Sequence, residues 1–153
     1  MEISVAFPED IERIVEFQQK MAQETEQISL DNYTVSLGVQ AVFSNPAKGT
    51  YVVAKDRNTL VASMLLTPEW SDWRNATFLW IQSLYVLPEY RKKGIFRKMY
   101  DYVKKTVNDS NHYAGIKLYV ASENELAQEV YKNVGMISSH YRLFEWNKLE
   151  IKK

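Results

Sequence analysis

The order of the predicted elements indicates a mixed α/β (α+β) fold, in which helices pack on a largely antiparallel central sheet. Two amphipathic helices come early, short apolar runs follow in the middle, and the last third alternates between strand and helix. The strand–helix–strand step of that last third predicts one parallel strand pair with a right-handed crossover. A length of 153 residues suits a single domain over residues 1–153.

The two early helices follow from the spacing of their apolar residues. After Pro8, which suits a first helical turn, apolar residues recur every three or four positions through Ala22. A second helix is predicted over residues 31–43, and Asn45-Pro46 would end it. A strand is expected before the first helix.

The middle of the chain has the short apolar runs that are typical of strands. Residues 50–54 and 60–66 predict a hairpin joined by Asp56-Arg57-Asn58. Residues 68–75 are predicted as a loop, and residues 77–86 as the third strand of this group.

Helical spacing returns in the last third of the chain. Residues 95–107 predict a helix, residues 116–121 a strand, and residues 123–134 a helix that Gly135 ends. Residues 138–146 are predicted as the last strand.

The composition argues against several classes of function. A formal net charge of +0 disfavours bulk binding to nucleic acid or to an anionic membrane. The absence of cysteine and the presence of only two histidines make a metal site an unfavoured hypothesis. The N-terminus lacks the pattern of a signal peptide, and no apolar stretch approaches the roughly 20 residues of a membrane span. We therefore expect a cytoplasmic protein.

Residues 86–96 carry the clearest chemical signal, because a strand end is followed there by a short turn and a helix start. This arrangement presents open backbone N–H groups and the positive end of a helix dipole to an anion. Gly94 allows a ligand to approach the backbone closely. Arg91, Lys92 and Lys93 would be slightly unfavourable at a helix N-terminus without a bound anion.

A solvated basic turn before a surface helix is the alternative interpretation of this loop. Two other phosphate-binding motifs do not fit. A Walker A loop needs a Gly-Lys-Ser/Thr ending, and a dinucleotide fingerprint needs three spaced glycines.

Two stretches of the chain resemble the GNAT acetyltransferase superfamily. The run Leu84-Tyr85-Val86-Leu87-Pro88-Glu89-Tyr90-Arg91-Lys92-Lys93-Gly94-Ile95 is similar to the core acyl-CoA motif of that superfamily. Asn124, Ala127 and Tyr131-Lys132-Asn133-Val134-Gly135-Met136 resemble its second conserved region. Phe96 and Met136 depart from the family pattern, which commonly has Gly or Ala at the first position and Phe at the second.

The resemblance implies a GNAT-like fold and an acetyl-CoA co-substrate. In the family, the strand that ends at Val86 splays from the next strand, and pantetheine hydrogen-bonds to the open edge, here at Leu84 and Val86. The diphosphate would then be bound by the backbone amides of Arg91, Lys92, Lys93, Gly94, Ile95 and Phe96. The remaining residues that the resemblance assigns to the cofactor site are Tyr85, Asn124 and Tyr131.

The resemblance also assigns residues to the chemistry. The backbone N–H of Leu84 or Tyr85 would stabilise the negative charge that develops on the thioester oxygen. Tyr131 would be the general acid, since a phenol of pKa about 10 can protonate a thiolate whose conjugate acid has a pKa near 8.5. From the residues alone, Tyr131 is better explained as an aromatic at the edge of the core, and Asn124 as a residue that caps a helix.

The sequence does not decide which residues bind the acceptor or which group is the general base. Three carboxylates lie where the family's substrate-side helices join and could attract a cationic amine: Glu24, Glu26 and Asp31. Gln82 and Ser83, on the cleft strand, can order a water but are not strong bases. His140, on the predicted last strand, is better explained as a structural histidine.

The tryptophans of residues 68–75 form another candidate surface. Trp70 and Trp73 lie in a polar loop, so they could line the acceptor pocket, bury against another subunit, or fold back on their own domain. Trp80 alternates with Phe78 and Gln82 on one strand face and is expected to pack.

The sequence therefore predicts an N-acetyltransferase that uses acetyl-CoA to acetylate a primary amine of a small molecule or amino-acid-like substrate. A non-catalytic acyl-CoA-binding sensor and a protein lysine or N-terminal acetyltransferase remain alternatives. We expect no nucleic-acid or membrane partner and no metal, while a homodimer is possible.

Overall fold

The computed structural model describes residues 1–151. The chain divides into two compact units, Met1–Leu118 and a second unit that begins at Tyr119. The expectation of a single domain over residues 1–153 stays a prediction.

The first unit contains one five-stranded sheet with the order β1-β2-β3-β4-β5. Its strands are β1 (Glu2–Val5), β2 (Thr50–Asp56), β3 (Thr59–Ser71), β4 (Ala76–Val86) and β5 (Tyr113–Lys117). The first four strands pair antiparallel, and β5 pairs parallel to β4. The predicted mixed fold with one parallel pair is confirmed.

Three helices of the first unit are α1 (Ile11–Glu26), α2 (Asn32–Ser44) and α3 (Ile95–Asn108). Short 3-10 turns, each begun by a proline, precede α1 at Pro8–Asp10 and β2 at Pro46–Lys48. The two early helices of the sequence prediction are confirmed to within a few residues, and so is the helix that follows Gly94.

The helices cover both faces of the sheet. Phe17 of α1 packs its ring 5.1 Å from the ring of Tyr85, which pairs with Ser63 of β3. Val103 of α3 lines a groove together with Leu66, three residues further along β3. Because successive strand residues point to opposite faces, α1 covers the face of Ser63, and α3 covers the face of Leu66.

The hairpin between β2 and β3 is confirmed, but the following loop was predicted too long. Arg57 and Asn58 both have positive φ, as a two-residue hairpin turn requires. The strand β3 then continues through Pro68 to Ser71. The ladder between β2 and β3 ends at Leu66, so Pro68 needs no donor on that side, and a proline is tolerated there.

The second unit contains one helix, α4 (Glu125–Asn133), within its described residues. Gly135 has a φ of 90°, which suits a left-handed helix end, and the predicted end of this helix is confirmed.

One strand prediction near the C-terminus is shifted, because β5 spans Tyr113–Lys117 rather than residues 116–121. Residues 138–146, predicted as the last strand, belong to the second unit, and within that unit by itself they are not paired into a strand. An apolar pattern marks a segment that can become a strand, but a strand forms only where another strand offers its backbone edge.

Candidate active site

The candidate site is a cleft where β4 and β5 separate. Their ladder runs from the Thr77–Tyr113 pair to the Trp80–Lys117 pair and ends there. β4 continues to Val86, and β3 pairs with it along the other side. No other strand of residues 1–151 pairs with β4 beyond Trp80 on the β5 side. The backbone edge of residues 81–86 is therefore open to a ligand.

A β-bulge lies at the point where the two strands separate. Leu65 of β3 pairs with Ser83, and Leu66 pairs with Ile81, so Gln82 is the extra residue. The Gln82 Nε2 donates to Thr67 Oγ1 at 3.0 Å. The Ser83 hydroxyl oxygen is buried and has no hydrogen-bond partner in the described part of the chain. The bulge bends β4 and adds twist beside the cleft.

The loop after β4, residues 87–94, has a backbone geometry that suits a bound anion; we call it the cofactor loop. A 3-10 turn at Pro88–Tyr90 leads into two left-handed residues, Lys92 at φ 60° and Gly94 at φ 73°. The first helical hydrogen bond of α3 is donated by Lys98 to the Gly94 carbonyl at 3.1 Å.

Several amides of this region have no acceptor. Among the hydrogen bonds within residues 1–151, none is donated by the backbone N–H of Lys92, Lys93, Gly94 or Ile95. A Cβ atom at Gly94 would meet no heavy atom within 4 Å, so the loop faces open space there. Open amides at the positive end of α3 form a suitable site for a negatively charged group.

Arg91 turns back from the cofactor loop toward α1. Its Nε donates to the Val86 carbonyl at 2.8 Å, and its guanidinium lies 2.6 Å from Glu24. The guanidinium carbon also lies 5.4 Å from the centre of the Tyr85 ring. The side chains of Lys92 and Lys93 are exposed, and the Lys93 ammonium lies 5.3 Å from the centre of the Tyr90 ring.

Glu24, Tyr85 and Arg91 form what we call the Glu24 cluster. Glu24 accepts a hydrogen bond from the Tyr85 hydroxyl at 2.7 Å, in addition to its ion pair with Arg91. The Tyr85 hydrogen bond and then Arg91 hold the pKa of Glu24 below its usual range. Burial is the main cause that raises the pKa of Tyr85 to about 12, and the hydrogen bond to the charged Glu24 carboxylate is the second. Glu24 is therefore ionised at neutral pH and is a weak base.

A second carboxylate cluster lies on the same face of the sheet and was not predicted from the sequence. It consists of Glu69, Trp80 and Lys117, and we call it the Glu69 cluster. Glu69 accepts from the Trp80 indole N–H at 2.5 Å and from the Lys117 ammonium at 2.6 Å. The hydrogen bond from Lys117 is the main cause that lowers the pKa of Glu69, and the hydrogen bond from Trp80 lowers it further. The Lys117 ammonium also lies 4.0 Å from the centre of the Phe78 ring. The alternation of Phe78 with Trp80 places both rings on one strand face and so indicated part of this cluster. Glu69 was not included because residues 68–75 were predicted as a loop.

The other predicted acceptor residues are more scattered. Asp31 caps α2 by accepting hydrogen bonds from the backbone N–H and the hydroxyl of Thr34. Glu26 is exposed as the last residue of α1. Trp70 and Trp73 are 62% and 90% exposed near the turn between β3 and β4. Trp70 follows Glu69 along the strand, so it points to the opposite face of the sheet.

Asn124 and Tyr131 lie in the second unit. Asn124 caps α4, because its side-chain oxygen accepts from the Ala127 N–H at 3.1 Å. Tyr131 is half-buried on α4, and burial raises the pKa of its phenol, so it stays protonated at neutral pH. The ring of His140 packs 4.2 Å from the ring of Tyr141.

Residues 1–151 contain no group of three or more His, Cys, Asp or Glu residues that could hold a metal ion. None of the helices formed by these residues has the length and apolar character to cross a membrane.

The sheet order, the separated β4–β5 pair and the amide-lined loop before α3 define an acetyltransferase type of α/β fold. The acetyltransferase (GNAT) family matches residues 11–136, so the chain belongs to this family. Membership of this family implies acyltransferase activity.

Solved structures agree with this family. A possible acetyltransferase from Clostridium difficile 630 is 38% identical, with a TM-score of 0.91, covering 97% of this chain and 98% of that one. The aminoglycoside N-acetyltransferase AAC(6')-Iy in complex with CoA is 10% identical, with a TM-score of 0.79, covering 97% and 95%. A ribosomal-protein-alanine N-acetyltransferase from Brucella melitensis biovar Abortus 2308 is 12% identical, with a TM-score of 0.75, covering 95% and 98%. The last two likenesses show the fold alone. Among curated proteins, no match to the chain was found.

Proposed function

We propose that the protein transfers the acetyl group of acetyl-CoA to a primary amine of a small or amino-acid-like molecule by direct attack on the thioester. The observation that carries this proposal is the open edge of β4, which leads directly into the open amides of the cofactor loop. Acetyl-CoA has an extended pantetheine arm that is joined to a diphosphate, so it fits an open strand edge that leads into an anion site. The CoA complex of AAC(6')-Iy, a protein of similar fold, supports this choice.

The backbone would bind the two parts of the co-substrate separately. Leu84 and Val86 would pair with the amide groups of pantetheine along the open edge. Arg91 donates its N–H to the Pro88 carbonyl at 3.2 Å, so the amides open to the diphosphate run from Lys92 to Ile95, and Phe96 follows them in the first turn of α3. The Arg91 side chain would act indirectly, by tying the cofactor loop to Glu24 and to the Val86 carbonyl.

Starting from a cationic amine, the reaction needs one new bond, one broken bond and three proton transfers, two from the nitrogen and one to the sulfur. The amine nitrogen forms a bond to the thioester carbon, and the backbone N–H of Leu84 would stabilise the charge on the thioester oxygen. The Tyr85 N–H points to β3 instead, like the Leu87 N–H two residues later, which donates to the Val61 carbonyl.

The C–S bond then breaks, and Tyr131 gives its proton to the departing thiolate. The cationic amine loses its first proton before the attack, and we assign water ordered by Gln82 as the acceptor of that proton. The second proton leaves the nitrogen as the amide forms. One of the two protons restores the Tyr131 phenol, and the other is released to solvent. The products are CoA and an N-acetyl amide.

The acceptor would approach from the α1 face of the sheet, where Trp80 and the carboxylates of Glu24 and Glu69 lie. Both carboxylates are ionised, and each side chain remains about 40% exposed. Negative charge beside an aromatic ring favours a cationic amine. Glu26 would add a further negative charge at the end of α1.

The test is a measurement of acetyl-CoA consumption with a panel of amines that includes polyamines, amino acids and a lysine peptide. We expect turnover with at least one small amine and a rise in melting temperature on addition of acetyl-CoA. A melting-temperature rise without turnover across the panel would favour the acyl-CoA sensor. A protein that shows neither response would contradict the assignment of the cleft.

A further inference from the structure

Three side chains around the Lys117 ammonium have the chemistry of a site for an ammonium ion. The Glu69 carboxylate lies 2.6 Å from this ammonium, and the centre of the Phe78 ring lies 4.0 Å from it. The centre of the Trp80 ring lies 5.6 Å away. A carboxylate together with aromatic rings is an arrangement that attracts ammonium groups. We call Glu69, Phe78 and Trp80 the ammonium cage.

The sheet holds the cage in shape. The Trp80 indole N–H donates to one oxygen of Glu69 at 2.5 Å, and the Lys117 ammonium donates to the other. Glu69 also pairs directly with Phe78 in the ladder between β3 and β4. A carboxylate that is fixed by two neighbouring strands loses little conformational freedom when it binds a cation, so the cage is preorganised for such a ligand.

Lys117 fills the cage as an internal occupant. Its side chain is an unbranched alkyl chain that ends in a primary ammonium, which is the chemistry of a linear alkylamine. This side chain is 36% exposed, so rotation about its bonds takes the ammonium to water. An incoming ammonium would keep the charge of Glu69 compensated, whereas an empty cage would leave a partly buried carboxylate without its cation. The occupant therefore indicates the chemical group that the cage binds.

The cage lies too far from the proposed thioester position to hold the reacting amine. Trp80 and Lys117 form the last pair of the β4–β5 ladder, so the cage lies at the closed end of the cleft. Leu84, whose N–H is proposed to stabilise the thioester oxygen, follows four residues after Trp80 on β4. With about 3.3 Å per residue and one bulged residue, the separation along the strand is on the order of 10 Å. An acceptor that uses the cage must therefore carry a second amino group.

We propose that the acceptor is a linear diamine, with one ammonium in the cage in place of Lys117 and the other amine at the thioester. This assignment names the substrate class of the proposed function and rests on it. The amine at the thioester loses its protons and forms the amide, while the caged ammonium stays protonated and takes no part in the bond changes. Lys117 is a competitor that sets the affinity for the acceptor and keeps Glu69 paired when no acceptor is bound.

The first test compares amines of different length and charge in the acetylation assay. Extended diaminooctane spans roughly 11 Å between its nitrogens and diaminobutane roughly 6 Å, from bond lengths of about 1.5 Å. We expect kcat/KM for diaminooctane to exceed that for diaminobutane and, by about five- to tenfold, that for octylamine, which has the same length and one amino group. Equal values for the two octyl compounds would overturn the diamine assignment and leave acetyl transfer to amines standing. No acetyl transfer to any amine would contradict the proposed function itself.

The second test removes the internal occupant. Lys117→Met keeps an unbranched side chain without the ammonium, so it should lower the KM for diaminooctane about three- to tenfold and leave the KM for acetyl-CoA unchanged. Lys105→Met, which removes a lysine paired with Asp109 on α3, is the matched control and should change neither KM. A lysine with a structural role alone would give an unchanged or higher KM for diaminooctane in Lys117→Met, and that result would overturn the inference.

A binding measurement without acetyl-CoA tests the cage apart from catalysis. Butylammonium has the alkyl chain and the ammonium of a lysine side chain, and it should bind to Lys117→Ala, in which the cage is empty. The indole N–H signal of Trp80 in an NMR titration reports this binding within the cage. The native chain should respond more weakly, because its own ammonium is tethered at the site. Adding Glu69→Gln to Lys117→Ala should abolish the response. The same response in Lys117→Ala and in the native chain would overturn the assignment of the cage.

Discussion

The Glu24 cluster and the Glu69 cluster are built in the same way on one face of the sheet. In each, a carboxylate accepts one hydrogen bond from an aromatic side chain and one from a cation. The two carboxylates have nearly equal exposure, 40% for Glu24 and 41% for Glu69. In both, these partners lower the pKa of the carboxylate.

The two clusters differ in the elements that they connect. Glu24 joins the end of α1 to β4 and, through Arg91, to the cofactor loop. Glu69 joins β3, β4 and β5 within the sheet and has no contact with that loop in its hydrogen bonds. The comparison teaches that two similarly built carboxylates can differ in the element to which they connect: Glu24 faces the proposed acceptor surface and also holds the cofactor loop, so it should affect acetyl-CoA binding, whereas Glu69 should affect the acceptor alone.

The largest loss of activity is expected from Tyr131→Phe. This variant tests whether Tyr131 is the general acid that protonates the departing thiolate. This variant removes one hydroxyl and keeps the ring, so acetyl-CoA binding should change little. Loss of a positioned general acid costs about 10²–10⁴-fold in rate, and the loss should appear in kcat. Steady-state kinetics beside an acetyl-CoA titration would check this.

A thioester with a more acidic leaving thiol serves as the control for Tyr131→Phe. Its thiolate departs without a proton, so the defect of the variant should shrink with that substrate. Turnover equal to that of the native chain with acetyl-CoA would remove Tyr131 from the mechanism.

Gly94→Glu should give the next largest effect, on the cofactor side alone. At an acetyl-CoA concentration of 100 times the Kd, binding stabilises the native chain by about 2.7 kcal/mol, or roughly 5–10 °C in Tm. The variant adds bulk and negative charge at the open amides, and we expect it to abolish this shift in a thermal melt.

Two other variants make the Gly94→Glu result specific. Gly38→Glu adds the same side chain at an exposed glycine of α2, where a Cβ also meets no neighbour, and should keep the shift. Gly94→Ala imposes the same backbone strain at φ 73° without the charge, and should lower the base Tm while keeping most of the shift. A full acetyl-CoA shift in Gly94→Glu would contradict the assignment of the cofactor loop.

Glu24→Gln and Glu69→Gln test the comparison itself. Glu24→Gln weakens the tie between α1 and Arg91, and partly exposed ion pairs contribute little, so we expect acetyl-CoA to bind about two- to fivefold more weakly. Glu69→Gln should leave the acetyl-CoA Kd unchanged and raise the acceptor KM by a similar factor. Calorimetric titration and steady-state kinetics measure the two quantities. Equal effects of both variants on acetyl-CoA binding would show that the clusters do not have separate roles.

The smallest effect is expected at the turn between β3 and β4. Trp73→Ala should raise the acceptor KM about twofold, the loss expected from one exposed aromatic contact with a cationic amine. Trp70→Ala is the matched control, because Trp70 points to the face opposite Glu69 and should leave the KM unchanged. A larger effect of Trp70→Ala would place the acceptor on the α3 face.

Much of the cofactor side could be predicted from the sequence because it depends on neighbouring residues. The turn, the left-handed Gly94 and the start of α3 all lie within residues 88–95, and local backbone conformation alone leaves their amides open. The Asp31 cap of α2 and the Arg57-Asn58 turn are local in the same sense, and both follow the sequence pattern.

The Glu69 cluster depended on strand register. Glu69 and Lys117 are 48 residues apart, and they meet only because β3 pairs with β4 beyond Pro68 while β5 adds on the other side. Glu24 and Tyr85 are 61 residues apart and meet because α1 covers that face of the sheet. No local pattern reports such contacts, since they are set by which elements pair and in which register.

By itself, the sequence determined the helices, the hairpin, the order of the elements and the anion-binding loop, because short-range hydrogen bonds and backbone preferences control them. Tertiary structure decided where β3 and β5 end and which carboxylates meet which cations. The physical reason is the same in each case. A strand needs a neighbouring edge and an ion pair needs a second element, and neither partner can be read from the segment that requires it.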